Sequence, residues 1–126
     1  MNTPITINMP AHAINAMPLR LFVSGLASRM GFDVETIEDI KTAVSEICVM
    51  LLGSVEEGML EIIINTNKKL DISASINSAV YIEKDDEDDI SELSRMLVEA
   101  LADEVSISED ENSHVNNIQM IFKLGE

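Results

Sequence analysis

Residues 36–52, TIEDIKTAVSEICVMLL, form the most regular amphipathic pattern in the chain. Apolar side chains recur every three or four residues, which places them on one face of an α-helix and predicts that this face is buried. The predicted buried residues are Ile37, Ile40, Val44, Ile47 and Leu51. The polar side of the same helix carries Glu38, Asp39, Lys41, Thr42 and Ser45. Asp33 or Thr36 can cap the first turn, and Gly53 is expected to end the helix.

The sequence before this helix predicts a strand and another helix. Residues 4–9, PITINM, alternate apolar and polar side chains as a half-buried strand does, and Pro10 stops the pattern. A helix then runs to about Met30, with Gly31 as its C-cap and Pro18 marking either its start or a kink. Its predicted buried side consists of Leu19, Phe22, Val23, Leu26 and Met30.

The sequence after the 36–52 helix predicts a hairpin. Residues 59–65, MLEIIIN, are rich in β-branched side chains, and residues 70–76 alternate as a return strand after the turn at 65–68. Val80 to Ile82 either extends the sheet or begins the next connection.

The last third of the chain predicts one helix and two strands. Ser91 to Ala102 has helical spacing, with a predicted core face of Ile90, Leu93, Leu97, Ala100 and Leu101. Val105 and Ile107 start a strand, residues 108–117 are predicted as an exposed turn, and Ile118 to Leu124 form the last strand, burying Met120 and Phe122 with Ile118. The order of elements predicts an α+β fold, a two-layer sandwich in which a mixed, mostly antiparallel sheet is covered on one face by about three helices.

Residues 19–48, LRLFVSGLASRMGFDVETIEDIKTAVSEIC, resemble the RsbW-type anti-sigma-factor serine kinases, small members of the GHKL (Bergerat-fold) ATPase superfamily. In that family this helix carries a Glu-x-x-x-Asn pattern, in which the Glu is the general base and the Asn helps to hold the magnesium of ATP. The Glu falls on Glu46 and the Asn on Met50. A thioether does not replace an oxygen ligand on magnesium, so the metal site is predicted to be lost.

The other nucleotide motifs of the family are also altered. The family's Asp-x-Gly-x-Gly turn falls near Ile76 and Ser78, and its Gly-x-Gly-Leu turn falls on Glu92 and Ser94. A carboxylate at a phosphate-binding turn would repel the ligand. No glycine occurs between positions 58 and 125, where the family has its flexible ATP lid. We therefore expect no bound cofactor and assign no catalytic residue.

The resemblance implies a non-catalytic, anti-sigma-factor-like regulator that binds a protein such as a sigma factor or an anti-anti-sigma factor. It also implies a homodimer formed through the first helix, Leu19 to Met30. The alternative is an active serine/threonine kinase with an atypical pocket, which would require ATP and magnesium. A third interpretation is a pseudo-enzyme that senses another small molecule in the remodelled pocket.

Composition limits the other possibilities. A chain of 126 residues predicts a single domain, 1–126, and a net charge of −15 with only eight Lys and Arg argues against nucleic acid as the partner. The acidity suits a basic protein surface, or it only keeps the chain soluble. The longest apolar run, residues 47–52, is too short for a membrane span, and no segment resembles a signal peptide, so a cytoplasmic protein is expected. The single cysteine, Cys48, fits a reducing compartment and small-residue packing.

Two further features have no assigned chemistry. The acidic run Glu83 to Asp89 lacks the glycine that an EF-hand loop needs, and is predicted to be a solvated loop or a patch that contacts a partner. His12 and His114 have no Ser, Cys or Asp at motif spacing and are predicted to be plain polar residues.

Overall fold

The computed structural model describes residues 3–53, 55–82 and 88–125, and for residues 88–91 it describes the backbone alone. Strand β1 (Ile5–Pro10) and a short 3-10 helix (Ala13–Asn15) precede two helices, α1 (Ala16–Met30) and α2 (Val34–Leu52). Then follow β2 (Val55–Asn65), β3 (Lys69–Tyr81), α3 (Asp88–Leu101), β4 (Glu104–Glu109) and β5 (Val115–Lys123). None of the helices among the described residues is long and apolar enough to cross a bilayer.

The five strands form one sheet in the order β1-β2-β3-β5-β4. All four pairings are antiparallel, so the described sheet is purely antiparallel rather than mixed. Along the three central strands every second side chain is buried against the helices, as the period of two in a strand dictates. These side chains include Leu60, Ile62, Ile64, Leu70, Ile72, Ala74, Ile118, Met120 and Phe122. The predicted two-layer α+β architecture is confirmed.

The ends of α1 and α2 follow the predicted signals. Gly31 ends α1 in the left-handed region at φ 98°, and the Asp33 side chain accepts the backbone N–H of Thr36 at 2.8 Å, which makes Asp33 the N-cap of α2. Pro18 lies in the first turn of α1, where a missing N–H costs no helical hydrogen bond. Phe22 is a correction to the predicted core, because its side chain is 43% exposed while Leu19 is buried.

Strand boundaries differ from the prediction at several places, and Pro10 is the last residue of β1 rather than the residue that stops it. Strand β2 begins at Val55, and β3 continues far enough for Val80 to pair with Glu57, so this segment extends the sheet. The predicted exposed turn at 108–117 is too long. The carboxylate of Asp110 accepts the backbone N–H groups of Asn112 and His114, which tightens the turn and lets β5 begin at Val115.

The buried face of α3 is the main error in the predicted core. Leu93 and Leu97 are 59% and 37% exposed, and Ala100 is exposed as well, whereas Ser94 and Val98 are 3% and 0% exposed. Ser94, Val98 and Leu101 have the same helical spacing as the predicted set, so periodicity alone could not choose between two overlapping stripes. The helix also begins three residues earlier than predicted, at Asp88, and the side chain of Ile90 lies outside the described residues.

Candidate functional site

The position that the resemblance assigns to the general base lies between α2 and α3. The hydroxyl of Ser94 donates a hydrogen bond of 2.7 Å to Oε2 of Glu46. Ser94 is 3% exposed and Glu46 is half-buried, so this contact fastens α3 to α2. The fold thus brings together two of the predicted site residues, which are 48 positions apart in the sequence.

The two positions that the resemblance assigns to magnesium and adenine are part of the apolar core. Met50 lies one turn after Glu46 on the buried side of α2 and is 6% exposed. Ile76 lies on the buried face of β3, in the same core cluster, and is 8% exposed. Both side chains follow the period of their own element, which places them among apolar neighbours.

Ser78 and Glu92, the remaining predicted positions, are both exposed. Ser78 has φ 56°, in the left-handed region that glycine adopts without steric cost. The register of β2 and β3 shifts nearby, and a Cβ on Gly58 would meet Ala79 Cα and the Asn77 carbonyl at 3.3 Å. Ser78 therefore has a glycine-like backbone near the position that the resemblance assigns to a family glycine. Glu92 lies on α3, two residues before Ser94.

Cys48 is buried on α2 and 4% exposed. Burial raises the pKa of its thiol to about 11, because the thiolate would lose its hydration. The thiol is therefore protonated at neutral pH, and protonated thiols are poor nucleophiles.

Sequence reasoning missed a contact at the end of β3. The rings of Tyr81 and His114 stack with centroids 3.9 Å apart and planes 8° from parallel, and Nδ1 of His114 lies 3.2 Å from a carboxylate oxygen of Asp110. Burial and the negative charge of Asp110 raise the pKa of Tyr81, while the backbone N–H of His114 is the main cause that lowers the pKa of Asp110. The spacing Asp-x-x-x-His in a predicted turn was the one feature of the sequence that could have indicated the contact between Asp110 and His114.

His12 also has a role that was missed, since its Nδ1 accepts the N–H of Ile14 at 3.2 Å.

Two surfaces expose large apolar side chains. The first, which we call the α1 face, consists of Ile14, Met17, Leu21 and Phe22, exposed by 72%, 65%, 61% and 43%. The second, the α3 face, consists of Leu93, Met96 and Leu97, exposed by 59%, 60% and 37%. Scattered exposed apolar residues are common, but contiguous groups of this kind are typical of protein-binding surfaces.

The acidic run Glu83 to Asp89 lies outside the described residues, except that the backbone of residues 88 and 89 begins α3. In the part of the chain that the structure describes, no three His, Cys, Asp or Glu side chains are grouped as a metal site would require.

The fold defines the chain as a two-layer α+β protein with its helices on one face of an antiparallel sheet. No sequence profile of a known protein family matches it. The chain is similar to the serine-protein kinase RsbW of Listeria monocytogenes serotype 4a (strain HCC23), with 50% identity over 46 residues, which are 36% of this chain and 29% of that protein. It is 42% identical over 48 residues to the serine-protein kinase RsbW of Bacillus thuringiensis (strain Al Hakam), covering 38% of this chain and 30% of that protein. These partial matches confirm the resemblance to the RsbW-type kinases.

Proposed function

We propose that the chain is a non-catalytic, RsbW-type cytoplasmic regulator that acts by binding other proteins. One observation carries the proposal: Glu46, at the position of the family base, accepts the hydroxyl hydrogen of a buried serine on α3. A general base must reach the proton that it removes from the substrate. In this chain the carboxylate instead holds two helices together.

The surroundings of Glu46 support the same proposal. Met50 offers a buried thioether in place of a magnesium ligand, and magnesium requires hard oxygen ligands. Ser94, at a predicted phosphate-binding position, is buried on the inner side of α3, and Glu92 places a carboxylate two residues before it. The described residues do not fit ATP and magnesium, and the proposed activity requires neither.

The proposed partners follow from the resemblance. A sigma factor or an anti-anti-sigma factor is the expected class of bound protein, and the α1 face is the proposed homodimer contact. Residues 1–32 contain no Asp or Glu, although the chain has 23 of them, so the α1 face itself brings no carboxylate to a contact between two copies. An apolar face that matches itself suits a two-fold symmetric dimer.

The test of lost catalysis is a calorimetric titration of the full chain with ATP and a non-hydrolysable analogue in magnesium. We expect no binding heat and no thermal stabilisation, while an RsbW kinase titrated in parallel binds both ligands. Met50→Asn should not restore binding, because the glycine turns are still absent. Micromolar binding by the wild-type chain, or transfer of phosphate to an anti-anti-sigma protein, would overturn the proposal in favour of an active kinase with an atypical pocket.

The test of the dimer compares one charge placed on each apolar face, measured by sedimentation velocity. Leu21→Asp should shift a wild-type dimer to monomer, because a carboxylate would be buried twice in the symmetric contact. Leu93→Asp, at a residue of similar exposure on α3, is the matched control and should remain a dimer. A monomeric wild type, or an equal effect of the two substitutions, would contradict the assignment of the α1 face.

A further inference from the structure

Helix α3 has two apolar sides, and it buries the less apolar of the two. The side chains turned into the molecule include a serine, Ser94, and Val98, while Leu93, Met96 and Leu97 are directed outward. Exposed Ala100 lies one turn after Met96 and Leu97 and extends the same apolar surface, since i, i+3 and i+4 positions are neighbours. The result is a continuous apolar stripe on a helix that the described part of the fold leaves uncovered.

The charges around the α3 face are mostly negative. Among the side chains of α3 that the structure describes, Glu92 and Glu99 stand against one cation, Arg95. Arg95 is already bound to Glu109 of β4. Glu92 and Glu99 are exposed and lie within one turn of Met96, on either side of it along the helix. The α3 face is therefore an apolar stripe bordered by two exposed carboxylates, Glu92 and Glu99, while Arg95 of the same helix is bound to another carboxylate.

We infer that the α3 face is a docking site for a basic amphipathic helix of a partner protein. The apolar side of such a helix covers Leu93, Met96 and Leu97, and its Lys and Arg side chains reach the carboxylates along the border. Nucleic acid and anionic lipid surfaces are repelled by the same carboxylates.

A second copy of this chain fits the α3 face less well. Two α3 faces brought together would oppose like charges. The α1 face of another copy offers few cations, because residues 1–32 contain only Arg20 and Arg29, and Arg20 already donates to Ser45 Oγ. The inference rests on the proposed function to the extent that both assign the chain to protein binding, but it concerns a different surface.

The experiment uses the full chain and a designed Leu/Lys amphipathic peptide of about five helical turns that carries one tryptophan. The chain has no tryptophan, so the fluorescence reports the peptide alone. We expect saturable binding, weakened at least about tenfold by Leu93→Ser with Met96→Ser. The matched control, Val34→Ser with Val80→Ser at exposed apolar residues outside both faces, should bind like the wild type. Circular dichroism of each variant verifies that it is folded.

The charge part of the inference is tested separately. Glu92→Gln with Glu99→Gln should weaken binding at low salt, and the difference from wild type should shrink at high salt as screening increases. A scrambled peptide of the same composition should bind more weakly than the amphipathic one. Equal binding of the two peptides, or equal loss from the α3 variant and from the Val34→Ser, Val80→Ser control, would overturn the proposal.

Sedimentation velocity of the Leu93→Ser, Met96→Ser variant tests whether a second copy of this chain, instead of a basic helix, covers the α3 face. A change in its oligomeric state would show that a second copy covers the α3 face, which contradicts the inference. Because none of these measurements involves ATP, the docking site and the proposed loss of catalysis fail or succeed independently.

Discussion

The α1 face and the α3 face expose apolar side chains of similar size, but the two helices that carry them differ in charge. Around the α1 face there are no carboxylates within residues 1–32, and the nearest charge on the helix is Arg20. The α3 face is bordered by Glu92 and Glu99. Exposed apolar area alone therefore does not identify a partner. The surrounding charge makes the α1 face suitable for contact with itself and the α3 face suitable for a basic helix.

The two outer helices also differ in how they attach to α2. Helix α1 is held mainly by apolar burial, with Leu19, Val23 and Ala27 at 1%, 0% and 0% exposure. Its polar contact with α2 is the longer one, from Arg20 to Ser45 at 3.3 Å. Helix α3 combines buried Val98 with the 2.7 Å bond from Ser94 to Glu46. We expect α1 to be sensitive to loss of volume and α3 to loss of a hydrogen bond.

The largest expected effect comes from truncating leucine on the two helices. Leu19→Ala removes buried methyl groups and should lower the free energy of unfolding by about 2–5 kcal/mol. Leu93→Ala, at a position that the sequence also predicted to be core, should change it by less than about 0.5 kcal/mol. Urea unfolding followed by circular dichroism measures both. A loss at Leu93 comparable to that at Leu19 would mean that α3 buries the face predicted from its sequence.

Helices α2 and α3 show how far the sequence predicts the fold. In α2, one wide apolar stripe and the Asp33 cap leave a single orientation, which the structure has. In α3, the stripe with Leu93 and Leu97 overlaps the stripe with Ser94 and Val98, and the local sequence does not encode the packing against α2 that buries the second stripe. The predicted site positions Glu46 and Ser94 were therefore identified, but the contact between them was not, because it joins residues that only the tertiary fold brings together.

The next largest effect is the pH dependence of stability that the thiol of Cys48 should cause. Cys48 is buried on α2, one turn after Ser45, which contacts α1. The folded thiol has a pKa of about 11 against 9.0 for the ordinary group, so below pH 9 it is protonated in both states. Above pH 9 the unfolded chain loses this proton first, and stability should fall as pH rises through the folded pKa. A shift of this size corresponds to at most about 3 kcal/mol.

Cys48→Ala is the control, because other groups titrate in the same range and remain in both proteins. The difference in stability between wild type and Cys48→Ala should change between pH 9 and 11 and be constant below pH 8. Native Cys48 should also react slowly with a disulfide reagent at neutral pH, at a rate set by local opening. A pH-independent difference, together with rapid labelling, would place the thiol in contact with water.

The smallest effect compares the two polar contacts of α2. Ser94→Ala removes a short hydrogen bond to a carboxylate and should cost about 1–2 kcal/mol of stability, and a double-mutant cycle with Glu46→Ala should give a coupling of the same order. Ser45→Ala removes the longer contact with Arg20 and should cost less than about 0.5 kcal/mol. If the Glu46–Ser94 coupling is near zero, the carboxylate gains nothing from the serine and is free to act on another group. That result would remove the main support for a non-catalytic protein.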